Sequence, residues 1–362
     1  MKKIIIPAVA AFVILFGAIF SCAYISSQSS AVCSEKENAV SMEYEISSGM
    51  TARAVGRELE KSGIIKNGQI FYVFARFPKL AVFFTHQNAK IFKIQTGYYE
   101  VNSAMTLANV FAEVSTGKER TVTVSIPEGL TVSKIAERFE KAGFGSAKDF
   151  VTVATTNGKE IFTELKIDLD IDSVEGFLFP DTYKVPVTYD AKKIIIMMIR
   201  NLLKQLQANE ETKSIVNIPS KEFYEKLILA SIVEREYRAE DEAALIAGVF
   251  KNRLSINMPL QSCATVEYII TEINHKPHPK IIFFDDLESR SPYNTYKFPG
   301  LPPGPISNPG LTAIKAAFNP QDSNYLYFTL TDANAGRHTF SKDFNSHAKA
   351  TNEFKTKKAA GN

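Results

Sequence analysis

Residues 229–237 read LASIVEREY and place a carboxylate at the end of an otherwise apolar helical stripe. At helical spacing Ala230, Ser231 and Glu234 share one face of a helix. Glu236 points roughly the opposite way, so the pattern predicts that Glu234 faces the protein and that Glu236 faces water. A carboxyl group held against apolar neighbours resists ionisation and can serve as a general acid near neutral pH. A surface glutamate on a solvated helix is the alternative interpretation.

A positively charged start and an apolar run open the chain. Lys2 and Lys3 precede Ile4–Ile25, which contains no charged residue. Such a run is long enough to cross a bilayer core, and the lysines favour a cytoplasmic N-terminus. We therefore predict an uncleaved, single-pass anchor in the inner (cytoplasmic) membrane, with the rest of the chain on the extracytoplasmic side. A cleaved signal peptide and a lipoprotein signal with Cys22 as the acylated residue are the alternatives.

The composition argues against several classes of function. The chain has 362 residues and a formal net charge of +3, and its only basic block is Lys355–Lys358, so nucleic-acid binding has little support. The cysteines are too few and too widely spaced for a disulfide framework: Cys22, Cys33 and Cys263. His275 and His278 lie in a proline-rich loop without zinc spacing. No metal and no cofactor is therefore predicted.

A weak internal repeat precedes the candidate acid. Residues 49–63 align with residues 129–143, and each copy reads as a strand, a glycine turn and a short helix. Threonine and glycine occupy the expected N-cap and stop positions of these helices: Thr51, Thr131, Gly63 and Gly143. Such units resemble the LysM glycan-binding module, and units that merely pack as spacers are the alternative.

The segment EGFLFPDTY, residues 175–183, gathers aromatic rings and carboxylates around a proline. Its aromatic and acidic members are Phe177, Phe179, Tyr183, Glu175 and Asp181. Aromatic faces bind sugar rings through their apolar surfaces, and carboxylates accept hydrogen bonds from sugar hydroxyls. A binding site and an aromatic corner of the core are both compatible with this composition.

The last third of the chain predicts helices followed by a small sheet. A second amphipathic helix covers about residues 244–254, and SPYNTY (291–296) and GLPPGPISNPG (300–310) then form loops. Loops rich in proline and glycine are rigid and suit the walls of a cleft. Alternation at Tyr325 and Tyr327 predicts a strand, so this region should be α+β.

Taken in order, EGFLFPDTY, LASIVEREY, NRL…LQS, SPYNTY, GLPPGPISNPG and HTF resemble the YceG-like family of endolytic murein transglycosylases. The likeness reaches from the apolar N-terminus to about Phe354. It implies a membrane-anchored protein with a LysM-like region and a catalytic domain with a lysozyme-like active-site helix. We accordingly predict an α+β protein with a cytoplasmic tip and membrane anchor (1–28), a first small α+β subdomain (40–125), a LysM-like second subdomain that contains EGFLFPDTY (126–215), a catalytic domain (216–354) and a basic tail (355–362). The likeness also implies an enzyme that cuts nascent peptidoglycan glycan strands internally, next to the synthases of elongation or division.

The resemblance carries functional residues over by motif. It implies Glu234 as the catalytic residue, and it implies substrate contacts for Gln261, Tyr293, Asn294 and Tyr296. From the aromatic segment, Glu175 and Tyr183 are added as candidate substrate-binding residues. The family commonly continues the glutamine with Thr-Asp-Pro-Thr-Val, whereas this chain continues with Ser-Cys-Ala-Thr-Val. Any role of that aspartate therefore does not transfer to Cys263.

The chemistry implied by the resemblance needs one carboxyl group. Glu234 would protonate the oxygen that links N-acetylmuramic acid to N-acetylglucosamine, and would then act as base on the C6 hydroxyl of the muramic sugar. The product is a 1,6-anhydro end, formed without water, because intramolecular attack gains from proximity. A two-carboxylate murein hydrolase pairing Glu234 with Glu175 or Asp181 is the second hypothesis. A non-catalytic peptidoglycan-binding scaffold is the third.

Overall fold

The computed structural model describes residues 2–117, 120–218 and 220–359, and the side chains of residues 2–14, 36 and 357–359 lie outside this description. The chain divides into two compact units, Met1–Thr121 and Val122–Asn362. Helices predominate in both units, and each sheet has two strands. The predicted α+β class is therefore confirmed.

The first unit begins with a long helix and continues with two strands and four shorter helices. In chain order these are α1 (Lys2–Ser29), β1 (Ser41–Ile46), α2 (Ala52–Lys61), α3 (Gly68–Arg76), α4 (Pro78–Thr85), β2 (Gly97–Asn102) and α5 (Leu107–Val114), with short 3-10 turns at Lys36–Asn38 and Ala89–Phe92. Strands β1 and β2 are antiparallel, with Tyr44 opposite Tyr99.

The predicted membrane anchor over Ile4–Ile25 lies partly outside the described side chains. Across the ranges that the structure does describe, no helix combines the length and the apolar character that a membrane crossing needs.

The second unit contains nine helices in its described ranges, together with two strand pairs. They are β3 (Thr121–Ser125), α6 (Val132–Lys141), α7 (Ala147–Thr156), α8 (Gly158–Glu164), β4 (Thr182–Pro186), α9 (Ala191–Ala208), α10 (Ser220–Glu236), α11 (Ala243–Ser255), α12 (Cys263–Tyr268), α13 (Leu311–Phe318), β5 (Tyr327–Asp332), β6 (Arg337–Ser341) and α14 (Phe344–Ala359). A π-helical turn, Ile269–Ile273, extends α12, and 3-10 turns lie at Ile215–Asn217, Glu240–Glu242 and Phe284–Glu288. Strand β3 pairs with β4, and β5 pairs with β6.

The repeat in the sequence is a repeat of structure. The order β1–α2–α3–α4–β2–α5 of the first unit recurs as β3–α6–α7–α8–β4–α9 in the second. Thr51 and Thr131 accept N-cap hydrogen bonds from the backbones of α2 and α6, which confirms the predicted caps. Gly63 and Gly143 adopt positive φ angles of 70° and 91° just after these helices, as the sequence predicts.

A pair of buried tyrosines extends the repeat beyond the segment that is recognisable in sequence. The Tyr99 hydroxyl of β2 donates to the backbone oxygen of Gln95, four residues earlier, at 2.8 Å. The Tyr183 hydroxyl of β4 donates to the backbone oxygen of Phe179, again four residues earlier, at 2.5 Å. Both side chains are almost fully buried. Each tyrosine therefore secures the same corner in its own copy.

One hydrophobic core fills the second unit, and α10 runs through it. Buried side chains of this core come from β3, from α6 to α11 and from α13, so they lie on both sides of residue 215, where the sequence suggests a boundary. Leu227, Ala230 and Ile232 of α10 are fully buried, and this helix packs most extensively on α13. Burying α10 among apolar neighbours places the end of LASIVEREY at the edge of the core.

Candidate active site

Glu234 lies in the last turn of α10 and faces the protein, as its helical spacing predicts. Its Oε2 accepts a hydrogen bond from the backbone N–H of Gly310 at 2.9 Å. Burial raises the pKa of Glu234 to about 7, and the Gly310 N–H opposes this rise because it stabilises the ionised form. The hydroxyl of Tyr237 also interacts with this carboxylate. Glu234 can therefore carry or release a proton near neutral pH.

The loop 300–310 reaches Glu234 because it is fastened to the backbone of α10. The Ser231 hydroxyl accepts a hydrogen bond from the Ile306 N–H at 3.0 Å, and the Ser307 hydroxyl donates to the Ser231 carbonyl at 2.9 Å. Ser231 and Ser307 are fully buried. This polar pair explains why a serine lies inside the apolar stripe of LASIVEREY, and it fixes the Gly310 N–H in front of Glu234.

A glycine turn covers Glu234 from the other side. Gly129, between β3 and α6, has a φ of 74°, and a Cβ placed on it would lie 3.5 Å from Glu234 Cγ. Arg235 donates to the Gly129 carbonyl at 3.2 Å and pairs with Glu267 at 2.7 Å. The positive φ favours glycine at this turn. The carboxylate thus lies between Gly129 and Gly310.

The prediction that Glu236 faces water is wrong. Glu236 accepts a hydrogen bond from the Ser262 hydroxyl, and burial raises its pKa to about 6. Helix α10 ends at Glu236, and the segment that precedes α12 folds back over this face of the helix. Burial here depends on residues distant in sequence, which helical spacing cannot predict.

Glu236 lines a cavity of about 530 Å³ together with Gln261 and Tyr296. Gln261 has a φ of 52°, and its N–H donates to the Thr295 carbonyl at 3.0 Å. The Tyr296 hydroxyl lies 3.0 Å from the Cys263 sulfur. The structure therefore brings Gln261, Tyr296 and Glu236 together, and Cys263 completes the wall at which this chain departs from the family pattern.

Asn294 shapes the wall from within. It is fully buried, and its amide nitrogen donates to the carbonyls of Leu287 and Ser289 at 2.9 and 2.8 Å. Its amide oxygen accepts from the Tyr296 N–H at 3.0 Å. Because its amide is engaged in these backbone contacts, Asn294 holds the SPYNTY loop in shape.

Glu175 and Tyr183 are buried in the second unit, and Tyr293 packs against its core as a partly buried side chain. Glu175 is buried, accepts from the Val132 N–H at 3.1 Å with both oxygens, and accepts from the Asn308 side chain at 2.6 Å. Burial raises its pKa to about 8. The ring centroid of Tyr293 lies 5.2 Å from that of Tyr268. Burial raises the pKa of Tyr293, and the charge of Glu175 raises it further. Among the described contacts, none joins Glu175 or Tyr183 directly to Glu234.

A carboxylate that the sequence interpretation missed accompanies Glu234. Glu128 precedes Gly129 in the glycine turn, and its charge raises the pKa of Glu234. The repeat contains the signal that identifies it. Ile46-Ser47-Ser48-Gly49 aligns with Ile126-Pro127-Glu128-Gly129, so a charged residue replaces serine in the copy that adjoins α10.

The described residues contain no group of three or more His, Cys, Asp or Glu side chains that could hold a metal ion. The chemistry that this arrangement supports is proton transfer by carboxyl groups. Glu234 and Glu236 have raised pKa values near neutrality, and they lie on opposite sides of the end of α10.

Comparisons of sequence and of structure with known proteins identify the following relatives. The profile of the YceG-like family matches residues 44–353. The endolytic murein transglycosylase of Bacillus subtilis (strain 168) is 29% identical over 335 residues, which cover 88% of this chain and 86% of that protein. The endolytic murein transglycosylase of Streptococcus pneumoniae serotype 2 is 28% identical over 327 residues, which cover 83% of this chain and 56% of that protein. A crystal structure of a yceG-like protein from Listeria monocytogenes is 28% identical, covers 86% of this chain and 99% of its own, and gives a TM-score of 0.54.

Proposed function

The chain belongs to the YceG-like family, and we propose on this basis that it is an endolytic murein transglycosylase that cleaves glycan strands of peptidoglycan. The observation that carries this proposal is the carboxyl group of Glu234, which is held by the Gly310 N–H and has a pKa of about 7. The B. subtilis and S. pneumoniae relatives bear the same functional name. The reaction is a lyase reaction and leaves a 1,6-anhydro-N-acetylmuramic acid end.

Glu234 acts first as acid and then as base. In its protonated form it donates to the oxygen between N-acetylmuramic acid and N-acetylglucosamine while positive charge develops at the muramic anomeric carbon. The acetamido oxygen of the substrate shields that charge. The ionised carboxylate, which the Gly310 N–H stabilises, then takes the proton of the C6 hydroxyl as this oxygen attacks the anomeric carbon. A pKa near the working pH serves both steps.

In this proposal the glycan strand passes the end of α10, where it meets Glu234 on one side of the helix and, on the other, the cavity that Glu236 lines. Gln261 and Tyr296 line it and orient the sugar and its acetamide. Asn294 and Tyr293 hold the SPYNTY wall, and Glu175 and Tyr183 act on the substrate through the elements that they fix in place. Gln261 and Tyr296 are assigned to the substrate because they line the cavity, and Asn294 to the wall because its amide is engaged with backbone groups.

The proposed setting is the cell envelope. We include in the proposal an N-terminal anchor in the cytoplasmic membrane, a catalytic domain on the extracytoplasmic side, and synthases of elongation or division as neighbours. The strand-and-helix repeats would bind glycan in the manner of LysM modules, and α10 would serve as a lysozyme-like active-site helix. The common order of elements in the two repeats supports a shared role.

A murein hydrolase with two carboxylates is the second candidate, and one observation changes the residue that would pair with Glu234. Glu128 is the carboxylate whose charge acts on Glu234, whereas Glu175 is bound to Val132 and Asn308, and Asp181 to Asn201. A hydrolytic mechanism would therefore pair Glu234 with Glu128. The end groups of the products distinguish the two mechanisms.

The test is mass spectrometry of the fragments released from uncrosslinked glycan strands by the full-length protein. Glu234→Gln removes the acid, and Glu137→Gln, which alters a partly exposed carboxylate on α6 that pairs with Lys134, is the control. Anhydromuramic ends made by the unmodified protein and the control, and not by Glu234→Gln, support the proposal. Reducing muramic ends would indicate hydrolysis. Tight binding without release of any fragment by a folded protein would indicate a scaffold.

A further inference from the structure

The backbone of Gly310 does not require glycine for its conformation. Its φ and ψ are −80° and 179°, an extended geometry that any residue adopts. A Cβ placed on Gly310 would nevertheless lie 1.9 Å from Oε1 and 2.3 Å from Cδ of Glu128. The carboxyl group of Glu128 occupies the space that a side chain at position 310 would fill. Glycine at this position therefore makes room for Glu128.

The backbone N–H of the same glycine contacts Glu234. The Gly310 N–H bonds to Glu234 Oε2 at 2.9 Å, so two carboxylates from distant parts of the chain meet at one residue. Gly129, the neighbour of Glu128, also lies against Glu234, since its Cβ would be 3.9 Å from Glu234 Oε1. Glu128 is exposed to solvent and Glu234 is half-buried. The two groups thus differ in environment although they share a neighbour.

The backbone holds Glu128 in place independently of its own carboxylate. The Gly129 N–H donates to the Asn308 carbonyl at 3.0 Å, and the Asn308 N–H donates to the Leu130 carbonyl at 2.8 Å. Arg235 adds a bond to the Gly129 carbonyl at 3.2 Å. A change confined to the Glu128 carboxyl group should therefore leave the turn intact.

The charges that face Glu234 are few. Arg235 acts from α10 and lowers the pKa of Glu234, but its guanidinium is also paired with Glu267. Tyr237 is neutral near pH 7 and hydrogen-bonds to Glu234. Glu128 acts from the glycine turn, and Glu240 acts on Glu128 and Tyr237. Among the described residues that act on Glu234, Glu128 is the anionic one, and a nearby like charge favours the protonated form of a carboxyl group.

We propose that Glu128 is a positioning residue of the active site, whose negative charge at Gly310 keeps the proton on Glu234. The consequence for catalysis rests on the proposed transglycosylase function, whereas the effect on the proton does not. Ser48 occupies the equivalent turn of the first unit, so this charge is specific to the repeat that adjoins α10.

The test compares Glu128→Gln, Glu128→Asp and the control Glu137→Gln in the full-length protein. Carbon-13 NMR of labelled glutamate side chains gives the titration of Glu234, assigned by its loss in Glu234→Gln. The pH profile of glycan cleavage is measured on the same samples, and thermal unfolding checks that each variant is folded. We expect Glu128→Gln to move the Glu234 titration and the alkaline limb of activity to lower pH. Activity at pH 7 then falls and recovers on acidification.

Glu128→Asp retains the charge and should restore most of the titration, while Glu137→Gln should match the unmodified protein. A Glu234 titration that is unchanged in folded Glu128→Gln would overturn the inference. So would an equal shift in Glu128→Asp, because shape rather than charge would then be responsible. A shifted titration in a protein that cleaves no glycan would uphold the inference while refuting the proposed function.

Discussion

Glu234→Gln is expected to stabilise the fold at alkaline pH although it removes the proposed acid. Burial raises the pKa of Glu234 from 4.5 to about 7. The folded state therefore holds this proton more tightly than the unfolded chain, and stability is lost as the pH rises from the first value through the second. One pKa unit corresponds to about 1.4 kcal/mol. Ionised Glu234 should thus lower the free energy of unfolding by about 3 kcal/mol.

Glutamine matches glutamate in size, can still accept the Gly310 N–H, and does not ionise. The unmodified protein and Glu234→Gln should have similar free energies of unfolding near pH 4, and the variant should be more stable by up to about 3 kcal/mol near pH 8.5. Glu175 and Glu236 also have raised pKa values, of about 8 and about 6. Both proteins contain them, so their contributions largely cancel in the difference.

Urea denaturation followed by circular dichroism at several pH values measures this difference, and the chain's 14 tyrosines and absence of tryptophan permit tyrosine fluorescence as a second probe. Glu137→Gln should follow the unmodified protein throughout. A stability gap between Glu234→Gln and the unmodified protein that stays constant from pH 4 to pH 8.5 would refute the reasoning. It would mean that Glu234 ionises as easily in the fold as in water.

Three further substitutions test the structural roles assigned above. Asn294→Ala should cost about 2–3 kcal/mol in urea denaturation, because two backbone carbonyls lose their donor; an unchanged midpoint would contradict this. Tyr183→Phe should lower the free energy of unfolding by about 1 kcal/mol because the hydroxyl bonds are lost. A higher KM for glycan at unchanged stability would show a substrate contact instead. Gly56→Ala places a Cβ 2.6 Å from the Gly68 carbonyl, so the first unit should lose about 1–3 kcal/mol, measured by its thermal unfolding; a loss below about 0.5 kcal/mol would show that α2 and α3 separate easily.

Features that depend on nearby residues could be predicted from the sequence. Thr51 and Thr131 cap their helices because an N-cap bond joins residues three positions apart, a purely local pattern. Glu234 faces inward because helical spacing relates it to Ala230 and Ser231. These local rules were sufficient for the α+β class and for the orientation of the candidate acid.

Features that depend on long-range packing could not be predicted in the same way. Glu236 is covered by a segment 26 residues further along the chain, through Ser262. The carboxyl group of Glu128 packs against Gly310, which lies in a loop distant in sequence. Tyr183 shows a different ambiguity, since a buried corner and a sugar-binding surface require the same residue types. The hydroxyl bond to Phe179 favours the buried corner.

The bonds that join Gly129 to Asn308 and Gly310 to Glu234 close loops of more than 70 residues within the chain. Closing such loops is entropically unfavourable until the surrounding core has formed, so these contacts belong to the late stages of folding. A chain that lacks residues 300–310 cannot form the contacts of Gly310 with Glu234 and of Asn308 with Gly129. We therefore expect the raised pKa of Glu234 to arise only after these long-range contacts have formed.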